Sequence, residues 1–202
     1  MPKPKIWDDS DALIRDLKGY WRRQSQQSVK VSTEWEEGIR RAVAGNTFRA
    51  FRKMPRPPSR VFREWARESL VTRGFFEELN TISSQKEFDK WLRRLVGGFR
   101  RYWLREMGCE IPFGPSYKLP NLLMKTVCNK LPSRQRMAVV GFLHVALDSY
   151  TLVGLRDCIR LPNGRKIPTT ATMRFVTDEK VYEDLQQKIR ALAKRARVPA
   201  IA

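Results

Sequence analysis

Two side chains in this 202-residue chain combine reactive chemistry with a backbone position that fixes them. Lys118 follows the turn Pro112-Phe113-Gly114-Pro115-Ser116 and precedes Leu119, Leu122, Leu123 and Met124, which recur at helical spacing. The spacing predicts a helix from about Ser116 with Lys118 in its first turn, where Pro120 is tolerated because first-turn amides lack an intrahelical acceptor. Asp148 ends the apolar run His144-Val145-Ala146-Leu147 and opens Ser149-Tyr150-Thr151-Leu152-Val153, at the place of a helix N-cap. A lysine at a helix N-terminus has its charged form disfavoured by the dipole, which suits an amine nucleophile. A carboxylate held beside a developing positive charge stabilises it. The plain alternatives are a surface lysine and a structural cap.

The Gly turn with Lys-x-x-Asn-Leu-Leu-Met, followed by Val-x-Leu-Asp-Ser feeding a helix, resembles the lysine and aspartate segments of the helix-hairpin-helix DNA glycosylases. The likeness covers about a quarter of the chain in two pieces. The hairpin departs from the family pattern, with Pro115-Ser116 in place of its second glycine, and the spacing of the pair is closer to the archaeal 8-oxoguanine branch. The four-cysteine cluster that some members use for iron and sulfur is absent. The resemblance implies an all-α, two-lobed fold with a cleft between lobes, roughly 1–80 and 81–202 of one domain. It also implies a base-excising enzyme with Lys118 as nucleophile and Asp148 as catalytic acidic residue, needing no cofactor and no metal. Repair of a damaged base and removal of modified bases from phage DNA are both open.

Around the pair, His144, Asn121, Tyr117, Tyr150 and Phe113 are candidates to line a pocket for a flipped base, with core packing as the alternative for each. Gly114, Ser116, Lys125, Arg100 and Arg101 are candidates to hold the DNA backbone. The single histidine precedes Asp148 by four residues and can also serve as a satisfied loop residue.

Forty Lys+Arg against 21 Asp+Glu give a formal charge of +19, which favours a polyanionic partner but is shared by basic ribosomal and membrane-surface proteins; the resemblance implies that the partner is double-stranded DNA. Six Trp and ten Phe speak for a folded body and against a basic tail. A non-enzymatic helical DNA- or RNA-binding protein shares these features and is the rival reading. Cys109, Cys128 and Cys158 lack a CxxC pairing, so buried free thiols are expected. No apolar run reaches the roughly 18 residues of a membrane span and no apolar leader core stands at the start, so a cytoplasmic monomer with no membrane partner is expected.

The positioning elements follow from periodicity and caps. After a loose arm at Met1–Lys5, helices are predicted from Asp8–Ser10 through Trp21, over 33–44, from Ser59 to Leu70, and from Ser83 or Ser84 to Arg105. A proline-rich connector spans Met54–Arg60. Further helices are predicted from Ser116, from Leu131 to Phe142, from Asp148, and over 182–197 behind a Thr177-Asp178-Glu179 cap. The helix-poor stretch 157–177 contains a hairpin-like turn at Leu161–Pro168.

Overall fold

The computed structural model describes residues 7, 9–26, 35–43, 47–48, 51, 53–72, 74–128, 138–161 and 164–200. The predicted arm at Met1–Lys5 and the start of the helix predicted at Leu131 lie outside them. The described residues are predominantly helical and contain no strand, only an isolated antiparallel bridge between Arg160 and Lys166. No helix among them is long and apolar enough to cross a membrane.

The chain divides into two compact units that interleave in sequence. One comprises Lys30–Ile111 and Leu119–Leu143, the other Met1–Val29, Pro112–Lys118 and His144–Ala202. No single cut, at residue 80 or elsewhere, separates them, because the N-terminal helix groups with the C-terminal one.

In the Lys30–Ile111 unit, α2 (Trp35–Ala42) precedes α3 (Pro58–Arg67), which continues as a π-helical turn over Glu68–Thr72. The expected Ser59 cap is not made. Pro57 stands at the cap position without a side-chain bond, and Pro58 occupies the first turn, where its missing amide costs nothing. After α4 (Phe75–Leu79), α5 (Gln85–Met107) starts with a full capping box. The Ser84 hydroxyl accepts from the Glu87 amide while the Glu87 carboxylate accepts from the Ser84 amide, two otherwise orphaned donors. Gly108, at φ 69°, ends α5 in the left-handed conformation that glycine adopts without strain. The core of this unit is aromatic: Trp65 lies 4.5 Å from Phe99, Phe62 5.6 Å from Phe99 and Phe51 5.1 Å from Trp103, mostly edge-to-face or tilted.

The other unit is built from α1 (Ser10–Gln26), the first turns of α6 (Phe113–Cys128), α7 (Ser149–Gly154) and α8 (Glu179–Ala196). The Asp9 carboxylate accepts from the Asp11 and Ala12 amides and so starts α1, while Asp178 caps α8 through the Val181 amide. α1 packs on α8, with Leu13 and Ile14 buried from one side and Leu185, Ile189 and Leu192 from the other. An Arg195–Asp11 ion pair of 2.9 Å ties their exposed edges.

α6 starts earlier than its residue types suggest. The expected turn at Pro112–Ser116 is helical from Phe113, and the Ser116 amide donates to the Pro112 carbonyl at 3.0 Å. Lys118 is therefore the sixth residue of the helix, not a first-turn residue, and Pro120 lies inside the helix, where it leaves the Ser116 carbonyl without its usual amide donor. Gly114 explains the early start. A Cβ built there would stand 1.8 Å from the Met173 carbonyl oxygen and 3.1 Å from that of Val176, so only a glycine lets this turn lie against residues 173–176.

Cys109, Cys128 and Cys158 are free, as expected, but only Cys128 is fully buried, and burial pushes its thiol up to about 12.

Candidate active site

Lys118 and Asp148 come together within one unit: Lys118 Nζ is 3.5 Å from Asp148 Oδ2. Both side chains are partly sheltered, with 12% and 27% of their surface exposed. Lys118 lies beyond the first turn of α6, the region where a helix dipole acts, and the Asp148 carboxylate is its ion-pair partner.

Asp148 is the N-cap that its sequence context predicts. Its backbone is extended, Oδ1 accepts from the Thr151 amide at 3.0 Å, and Oδ2 is left facing Lys118. One carboxylate oxygen thus holds the helix and the other holds the amine. The Thr151 hydroxyl donates back to the Ala146 carbonyl at 3.1 Å and fastens the approach to the cap.

The remaining predicted residues separate into two groups. Tyr150, 40% exposed, stands two residues past Asp148. Phe113 is half-buried. Tyr117 is buried, its ring 4.9 Å from Phe113 and 4.2 Å from Tyr182, so as folded it packs on protein and offers no face to a base. His144 is buried too. Its Nε2 accepts from Arg190 Nη1 at 3.0 Å, and since a guanidinium only donates, Nδ1 carries the proton and donates to the Tyr182 hydroxyl at 2.8 Å. Both ring nitrogens are engaged away from Asp148, so the histidine does not orient the aspartate directly.

Gly114 and Ser116, expected to grip DNA, are buried. The Ser116 hydroxyl donates to the Phe113 carbonyl at 2.6 Å, and Gly114 faces backbone. Neither presents a surface to phosphates here. Asn121 and Lys125 belong to the part of α6 that groups with the other unit. Asn121 is buried, whereas Lys125 keeps an exposed face while its surroundings desolvate the ammonium and lower its pKa. Arg100 and Arg101 are exposed on α5 and have no ion-pair partner among the described residues. Their neighbours are already engaged: Arg94 pairs with Glu78 and lies over the Phe75 ring, and Arg105 pairs with Glu106 at 2.8 Å.

Sequence reasoning missed three residues on α8. Tyr182, Gln186 and Arg190 are spaced i, i+4, i+8 and meet the segment that leads into Asp148. Gln186, fully buried, bonds the same residue twice. Its Oε1 accepts from the Val145 amide at 3.0 Å, and its Nε2 donates to the Val145 carbonyl at 2.7 Å.

No family model, curated protein or solved structure matches the chain.

Proposed function

We propose that this protein is a DNA glycosylase of the helix-hairpin-helix type, which excises a damaged or modified base from duplex DNA. The observation that carries this reading is the Lys118–Asp148 pair, a sheltered amine and a sheltered carboxylate 3.5 Å apart with one carboxylate oxygen not committed to the cap. As the bond between C1′ and the base breaks, the base leaves with the bonding electrons and acquires a proton, while C1′ becomes cationic. Asp148 then exchanges its ammonium partner for the cationic sugar, a stabilisation gained as the charge develops. The leaving base takes its proton from the Lys118 ammonium as the pair opens; the free Nζ then adds to C1′, and the C1′–O4′ bond breaks as a proton passes from Nζ to O4′ by way of the Asp148 carboxylate, leaving the opened sugar joined to Lys118 as a Schiff base.

The +19 charge supports a duplex DNA partner, and Arg100 and Arg101 supply exposed cations that no carboxylate among the described residues neutralises. Tyr150, an exposed aromatic two residues past Asp148, is the candidate to stack on the extruded nucleotide. Either a repair role or a defence against phage DNA fits this chemistry, since the two differ only in the base removed.

The test uses the full chain with duplexes carrying an abasic site, the common product whatever base is excised, together with a panel of duplexes bearing oxidised or otherwise modified bases. Under borohydride the wild type is expected to become covalently joined to the abasic duplex and Lys118→Gln is not. Duplex binding with neither adduct nor free base from any member of the panel would make the protein a non-enzymatic nucleic-acid binder.

A further inference from the structure

Three residues of one helix hold the segments that carry the two reactive residues. Tyr182 stacks on Tyr117, the residue before Lys118, at 4.2 Å, and its hydroxyl bonds His144, four residues before Asp148, at 2.8 Å. One turn further along α8, Gln186 holds both the N–H and the C=O of Val145, three residues before Asp148. Arg190, another turn on, holds the remaining nitrogen of His144 at 3.0 Å. The segment 144–148 has no helix or strand of its own. A buried amide that matches a peptide group donor for acceptor and acceptor for donor fixes it in register as a neighbouring strand would.

We infer that Gln186, with Tyr182, is a positioning residue that sets the separation of Lys118 and Asp148. Burial of an uncharged amide between Leu185 and Ile189 is not required for packing, because an apolar residue of like size would fill the same space. What the amide adds is a fixed height for Val145, hence for the Asp148 cap, relative to the helix that also carries the ring under Tyr117. Loss of that bond lets the aspartate drift from the amine, and reacting groups displaced by about 1 Å lose on the order of 100-fold in rate. The inference rests on the glycosylase reading of the pair.

The experiment compares wild type, Gln186→Leu and Gln186→Glu as full-length proteins. The probe is an abasic-site duplex, and the readouts are the single-turnover rate of the borohydride-trapped adduct, duplex affinity, and hydrogen exchange of the Val145 and Thr151 amides. Gln186→Leu is expected to lower the trapping rate by about 10- to 100-fold with affinity within about twofold, and to speed exchange at both amides. Glutamic acid can accept from the Val145 amide and, when protonated, donate to its carbonyl, so Gln186→Glu is expected to recover more of the rate at about pH 5.5 than at about pH 8. A Gln186→Leu rate equal to wild type overturns the inference. So does a rate that falls in step with affinity and is not recovered by Gln186→Glu at either pH, which would mark Gln186 as merely structural. A wild type that forms no adduct overturns the glycosylase reading and this inference together, whereas a trapping wild type with an undiminished leucine variant overturns this inference alone.

Discussion

Replacing Asp148 by Asn and by Ala separates the two jobs that its carboxylate holds at once. Oδ1 caps α7 through the Thr151 amide at 3.0 Å, and asparagine keeps that acceptor, so the cap loses only a few tenths of a kcal/mol. Oδ2 pairs with Lys118 at 3.5 Å in a partly exposed site, where such a pair contributes about 1 kcal/mol at most. Asp148→Asn is therefore expected to cost about 1 kcal/mol in all, and Asp148→Ala, which also removes the cap, about 2 kcal/mol. For a chain of this size these correspond to melting temperatures lower by roughly 3 and 6 °C. Base release behaves differently. Neither variant can supply the negative charge that a cationic sugar needs, so both are expected to lose on the order of 100- to 1,000-fold in single-turnover excision. The assay is release of free base from the duplex that the wild type processes, beside thermal melting of all three proteins. Activity that tracks stability, with Asn near wild type and Ala well below it, would refute the reasoning and leave Asp148 as a cap alone.

Gly114→Ala is expected to cost about 3 kcal/mol or more, because the new Cβ meets a backbone oxygen at 1.8 Å and no rotamer relieves it. Gly98→Ala, where a Cβ meets nothing within 4 Å at a half-buried position inside α5, is expected to stabilise by about 0.5–1 kcal/mol; thermal melting reads both. Arg100→Gln with Arg101→Gln should weaken duplex binding and reduce the slope of log affinity against log salt by about 2, with melting unchanged. Hydrogen bonds from Arg40 and Arg41 hold Glu37 at about 2, and Asp9, Glu87, Asp157 and Asp178 are also lowered. Carboxylates depressed in the folded state contribute stability that is present above their unfolded values and lost as pH falls. Melting temperature should accordingly stay level from pH 7 to about 5 and decline below about 4.

The elements that the sequence makes legible are those whose causes are local. Ser84, Asp148 and Asp178 each satisfy an amide three residues ahead, an interaction complete within one turn, and the helices behind Ser84 and Asp148 begin where expected, while α8 begins at Glu179, directly behind its Asp178 cap and three residues ahead of the expected 182. The start of α6 is not of this kind. Phe113-Gly114-Pro115-Ser116 has poor helix propensity and reads as a turn, and the turn becomes helical where residues 173–176 press against it. The partner lies about sixty residues away, and nothing in the local pattern announces it. The same distance in sequence hides the interleaving of the two units.

The candidate site divides along the same line. Lys118 and Asp148 are legible because each stands beside a local signal, and their meeting across thirty residues follows if both segments belong to one site. The residues around them read as base or DNA-backbone contacts because they are aromatic or polar and near the pair in sequence, yet Tyr117, His144 and Ser116 spend those groups on protein. A buried aromatic beside a reactive residue is equally able to stack on a base or on a neighbouring helix, and sequence gives no depth by which to choose. α8 did carry a usable signal. Leu185 and Ile189 mark its buried stripe, and Gln186 falls within that stripe, where an amide has to find a donor and an acceptor in the core. A glutamine at a core register predicts an irregular peptide opposite it. In this fold that peptide is Val145, in the non-helical segment that delivers Asp148 to Lys118.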